Sequence, residues 1–67
     1  MVKVGRVSID AAGNVRVDGK VFCNIFHLER VFGHSMSRIR EEIATRLWLQ
    51  YGDEVVKDFR EAFDEWL

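Results

Sequence analysis

The spacing of apolar residues changes once along this chain, and that change limits what it can fold into. Up to about residue 22, valines recur at every second position; beyond it, apolar residues recur every third or fourth. A period of two marks a strand with one covered face, and a period near 3.6 marks an amphipathic helix. Strands therefore come first and helices second, in an α+β domain of order ββααα.

Within VKVGRVSID, Val2 and Val4 share a face, whereas Val7 and Ile9 fall on the other. Gly5 lies at the phase change, where a bulge would re-aim one long strand. Within NVRVDGKVF, Val15, Val17, Gly19 and Val21 share a face, with Arg16, Asp18 and Lys20 opposite. The link DAAGN reads as a short loop in which Gly13 or Asn14 takes positive φ. The pattern predicts one β-hairpin over about residues 2–22. A lone hairpin is only marginally stable, so its valine face must pack on helices or on a second copy.

Helices are predicted over about residues 24–32, 36–51 and 54–66. Asn24 can cap the first, and Gly33 can end it in the left-handed conformation. Ser35 or Ser37 starts the second, in which Ile39, Ile43, Leu47 and Tyr51 recur every four residues, with Ala44 and Trp48 widening the stripe. Gly52 stops it, and Asp53 is read as the cap of the third. There Val55, Val56, Phe59, Ala62, Phe63 and Trp66 form an apolar face. No proline, repeat or low-complexity linker interrupts this order, so residues 1–67 read as one small domain.

A chain of 67 residues buries only about 60% of its unfolded surface, so scaffolds of this size commonly lean on a staple. Cys23 is the one cysteine, which rules out an internal disulfide. His27 and His34 with a single thiol fall short of a closed zinc-site pattern. Association is the staple that remains, and a homodimer or an obligate partner is the expectation. The start MVKVGRVSID holds no apolar run long enough for a signal peptide or membrane span, which implies a cytoplasmic location. The lone thiol agrees with a reducing compartment and reads as a small buried apolar side chain.

Residues 1–50 carry eight Lys/Arg against five Asp/Glu, and residues 51–67 carry two against six. A net charge of −1 argues against a protein that lives on non-specific attraction to phosphates.

The segment FGHSMSRIR, Phe32 to Arg40, joins the first two helices. HLERVFGHSMSRIREEI locally resembles the helix-turn-helix of many bacterial regulators, with Gly33 as turn glycine, Ser35 as cap and Ile39 as core anchor. The resemblance implies a DNA-contacting set of His34, Ser35, Ser37, Arg38 and Arg40. A helix N-terminus offers free N–H groups to a phosphate, and arginines reach phosphates or guanine edges. Glu29, His34 and Glu42 depart from the residue types of that pattern. A strand followed by two helices is also similar to the ribbon-helix-helix arrangement, with Arg16, Asp18 and Lys20 as outward strand residues. The plainer reading is a capped corner between two packed helices.

Leu47, Trp48, Leu49, Tyr51, Phe59, Phe63, Trp66 and Leu67 are many large side chains for one small core. Leu47, Trp48 and Leu49 are consecutive and span about 200° of a helix. One helix cannot bury all three in its own domain, and uncovered Trp, Tyr and Arg are typical interface anchors. The partner-binding set read from the sequence is Arg38, Arg46, Trp48, Tyr51, Phe63 and Trp66. Arg38 with Glu42 and Glu42 with Arg46 are i,i+4 pairs of a few tenths of a kcal/mol each.

No Ser-His-Asp or Cys-His-Asn grouping stands out, no glycine-rich loop precedes a lysine, and a catalytic pocket is hard to enclose in so small a fold. The sequence therefore points away from an enzyme, a cofactor and a small-molecule substrate. The first reading is a small regulatory protein, an inhibitor or adaptor that binds a larger protein. Chains this short and compact occur among phage and mobile-element accessory proteins. The alternative is a homodimeric DNA-binding transcription regulator.

Overall fold

The valine phase change at Gly5 is a chain reversal. In the computed structural model, which describes all residues 1–67, β1 (Val2–Val4) and β2 (Val7–Ile9) pair antiparallel across Gly5 and Arg6. Val4 faces Val7 and Val2 faces Ile9. A three-residue step inverts the face along one strand but keeps it across a two-residue turn, so all four side chains point the same way. Gly5 has φ 55°, which suits the glycine that opens such a turn. A Cβ there would collide with the carboxylate of Asp58 on the third helix, whose Oδ2 accepts from the Arg6 N–H at 3.3 Å.

The second half of the expected hairpin is likewise a hairpin of its own. β3 (Asn14–Val17) and β4 (Lys20–Asn24) are joined by Asp18 and Gly19, both at positive φ. Asp-Gly is the favoured sequence for that turn because its twist matches the flanking strands. Gly19 thus lies in the turn and off the valine face. Val21 pairs with Arg16 and points to solvent, while Val15 pairs with Cys23. Phe22 is the extra residue of a bulge, which leaves Phe22 and Cys23 both packed against the core. DAAGN connects β2 to β3. The result is a four-stranded antiparallel sheet in the order β1-β2-β3-β4, in place of the single hairpin expected.

Three helices cover one side of this sheet. α1 (Ile25–Phe32) begins at Asn24, whose side chain accepts from the His27 N–H at 2.9 Å, and ends at Gly33 with φ 65°. α2 (Met36–Tyr51) begins at Ser35. Gly52, at φ 95° and ψ −172°, is the whole connection to α3 (Asp53–Trp66). That conformation is almost reserved for glycine. Asp53 is therefore the first helical residue and not the cap; with Glu54 it places negative charge at the positive end of the helix dipole.

α3 lies across β1 and β2 and against α2, while α1 packs on β4 and α2. The core combines Val7, Ile9, Val15 and Val17 of the sheet with Ile25 and Leu28, Ile39, Ile43, Ala44 and Leu47, and Val55, Phe59, Ala62 and Phe63. It contains no polar side chain and leaves no buried side-chain polar atom without a partner. All fourteen of these side chains are buried within the single chain. The other face of the sheet, carrying Lys3, Ser8, Arg16 and Val21, is open. No helix is long and apolar enough to cross a membrane.

Candidate functional site

α2 buries Ile39, Ile43, Ala44 and Leu47 and turns the rest of its circumference outward. Arg38, Glu42, Thr45 and Leu49 recur at intervals of four, three and four residues, a spacing that keeps them in one stripe. Glu41 and Trp48 flank that stripe on the side of α3: Glu41 accepts from Arg60 at 3.2 Å, and Trp48 shares a shallow groove with Val56 and Arg60. Arg46 flanks it on the side of α1 and β4, close enough for its charge to act on the Cys23 thiol. Trp48 is 52% exposed and Leu49 73% exposed, beside a Leu47 that is wholly buried. The three consecutive side chains diverge as a 100° step requires.

A second, open groove of about 470 Å³ crosses this stripe toward α1 and is walled by Phe32, His34, Arg38, Glu41, Glu42, Thr45 and Arg46, of which only Phe32 is apolar. Phe32 is half exposed, because α1 spends its core contacts on Ile25 and Leu28 and Gly33 turns the chain away directly afterwards. His34 stacks on Phe32 with ring centroids 5.7 Å apart, and its Nε2 lies 3.3 Å from a Glu42 carboxylate oxygen. Arg38 reaches the same oxygen only at 4.0 Å. Arg46 has no ion pair within the chain. The surface is mixed: two open arginines, two carboxylates and three large apolar side chains, Phe32, Trp48 and Leu49.

Three members of the partner-binding set read from the sequence, Arg38, Arg46 and Trp48, lie on the outer side of α2, with Arg46 and Trp48 on its opposite flanks. The other three do not. Phe63 belongs to the core, with its ring tilted against those of Phe59 and Trp66. Trp66 is half-buried between Phe26 and Phe63, and its Nε1–H donates to the Asp10 carbonyl at 3.0 Å. Tyr51 is half-buried, edge-on to Phe22 and under the Arg6 guanidinium at 5.6 Å. Their cover comes from residues distant in sequence: Phe22 of β4 and Arg6 of the β1–β2 turn cover Tyr51, and Asp10 of the β2–β3 loop with Phe26 of α1 covers Trp66. Leu49 and Phe32 are the surface residues that the set omitted. The signal for Leu49 was present in the 200° spread of Leu47–Leu49, and Phe32 was marked only by its place next to the stop glycine.

The DNA-contacting set is scattered. The Ser35 hydroxyl accepts from the Arg38 N–H at 3.3 Å and serves as a cap. Arg40 points toward α3, where its Nε and Nη2 each donate to the Asp64 carboxylate at 2.9 Å and its Nη1 donates to Glu41. Those hydrogen bonds, Asp64 first, raise the guanidinium further above its ordinary range. His34 faces Glu42, which leaves Ser37 and Arg38 as the open members. Of the outward strand residues, Arg16 is held by Asp10 and Asp18 by Arg6.

Cys23 is half-buried on β4, and burial pushes its thiol up to about 11 despite the opposing charge of Arg46. A thiol held protonated is a poor nucleophile. His27 stands exposed on α1. No protein-family model, curated protein or solved structure matches this chain.

Proposed function

We propose that this chain is a small regulator that works by binding another protein, as an inhibitor or adaptor, through the outer face of α2. The observation that carries this reading is the pair Trp48 and Leu49, open to solvent on a helix whose inner face completes a closed core. Desolvating them costs the fold nothing, and covering them with a partner removes apolar area from water at about 25 cal/mol per Å². Arg46 lies one turn before Leu49 and Arg60 shares the groove beside Trp48, and arginine beside tryptophan is the composition of interface anchors. Phe32 extends the same surface across the groove.

The alternative reading, a DNA-binding regulator, is weakened by the Arg40–Asp64–Glu41 cluster. It takes one of the two arginines that a recognition helix would need, and it places carboxylates where phosphates would approach.

Two measurements on the purified protein separate the readings. The first is affinity capture with wild type and with Trp48→Glu/Leu49→Glu as bait. The second is fluorescence anisotropy against a randomised duplex pool over a salt series. A protein held by wild type and lost by the variant, with no retained duplex, supports α2 as the working surface. Equal capture by both baits, or duplex retention that enriches one motif and fades steeply with salt, contradicts it.

A further inference from the structure

We infer that the outer face of α2 is self-complementary, and that a second copy of this chain covers it in the free protein, packed antiparallel about a two-fold axis. The inference rests on the reading of α2 as a binding surface and names its occupant.

Charge decides the orientation. Arg46 is open and unpaired, and Glu42 stands one turn before it, held only by His34 and, at 4.0 Å, by Arg38. Parallel pairing about a two-fold along the helix would set Glu42 level with Glu42 and Arg46 level with Arg46, which repels. An antiparallel two-fold at the height of residue 44 sets Glu42 of each copy level with Arg46 of the other. Such an axis is perpendicular to the helices, so the α1-side flank of one copy meets the α1-side flank of the other. Arg46 lies on that flank, and Glu42 lies between it and the centre of the stripe. Two equivalent ion pairs then bracket the axis, as an isologous interface requires.

Shape agrees with charge. Leu49 lies about 7.5 Å beyond that axis at 1.5 Å per residue. It therefore arrives level with Ile39 of the second copy, beside Arg38 and over the groove walled by Phe32 and Arg38. The α2 wall of the groove runs from Arg38 to Arg46 and so crosses the axis, and the most exposed apolar side chain of α2 arrives at its Arg38 end. Leu49 enters the groove of the second copy, and its own groove receives the second copy's Leu49. A partner protein that binds through α2 must displace this second copy, so self-association and partner binding compete.

The test is sedimentation velocity over about 1 µM to about 1 mM, with wild type, Glu42→Arg, Arg46→Glu, the double swap, and an equimolar mixture of the two single variants. Far-UV circular dichroism checks that each variant is folded. The expected result is a concentration-dependent wild-type dimer and two single variants that stay monomeric. The mixture and the double swap should dimerise, because opposite charges again face each other. A wild type that stays monomeric throughout overturns the inference and leaves the capture comparison above to judge α2 as a surface for other proteins. Single variants that dimerise like wild type place the contact elsewhere and also overturn it.

Discussion

The indole Nε1–H of Trp66 donates to the backbone carbonyl of Asp10 at 3.0 Å, joining the last turn of α3 to the β2–β3 loop. The same loop is drawn together from within. The Asp10 carboxylate accepts from the Asn14 N–H, the Asn14 amide and Arg16, and the Asn24 amide donates to the Ala12 carbonyl and the Asn14 side chain. Asn24 also caps α1. One small polar cluster thus fixes both the start of the first helix and the end of the last.

Trp66→Phe keeps a ring against Phe26 and Phe63 but leaves the Asp10 carbonyl without its donor. A loss of about 1 kcal/mol is expected, the usual net worth of one hydrogen bond. Trp66→Ala removes the ring contacts as well and should cost about 3 kcal/mol. Urea unfolding midpoints check both; equal losses for the two variants would mean that the ring contributes nothing.

Asp10 gives the fold an acid limit. Hydrogen bonds from Arg16 first, then from Asn14, hold its carboxyl well below the ordinary value of 3.8. A carboxyl depressed in the folded state contributes stability that is complete above its unfolded pKa and is lost as pH falls toward its folded pKa. Wild type should therefore lose stability from about pH 4 downward, and Asp10→Asn should be less stable near neutrality yet show a shallower slope in acid. Thermal melts at stepped pH test this, and parallel slopes would contradict it.

Two arginines two positions apart on α2 should behave differently. Arg40 bridges α2 to α3 through Asp64, whereas Arg38 is 66% exposed at its side chain with only a 4.0 Å approach to Glu42. Arg40→Ala should cost up to about 1 kcal/mol, the upper end for a solvent-accessible ion pair. Arg38→Ala should fall within about 0.5 kcal/mol of wild type. The ranking is read from the same denaturation curves.

Cys23 should resist modification in the native state. With its thiol pushed up to about 11 by burial, little thiolate is present near neutrality. A thiol-reactive dye should label it slowly at about pH 8 and rapidly only in denaturant. Fast native labelling would show that β4 opens at its bulge.

The order of strands before helices, the chain reversal at DAAGN and the glycine stops at Gly33 and Gly52 were legible because each rests on a local rule: period, turn chemistry or a cap. The strand count was not. A three-residue step between valines is the same string whether Gly5 makes a bulge or a turn, and only the pairing of Val4 with Val7 separates the two. Within NVRVDGKVF the Asp-Gly turn signal was present but was outweighed by unbroken alternation. The site was legible where helix angle alone decides exposure, as at Arg38, Arg46 and Trp48. It failed at Tyr51, Phe63 and Trp66, whose cover comes from β4, Arg6 and Asp10, distant in sequence.

The most direct test of α2 as the face that a second copy covers is a nitrogen–proton NMR correlation spectrum followed through a dilution series. Concentration-dependent shifts are expected at residues 38–49, including the indole of Trp48, with the indole of Trp66 and the open sheet face around Lys3 and Ser8 unmoved. Shifts centred on the sheet face, or a spectrum that does not change with concentration, would contradict it.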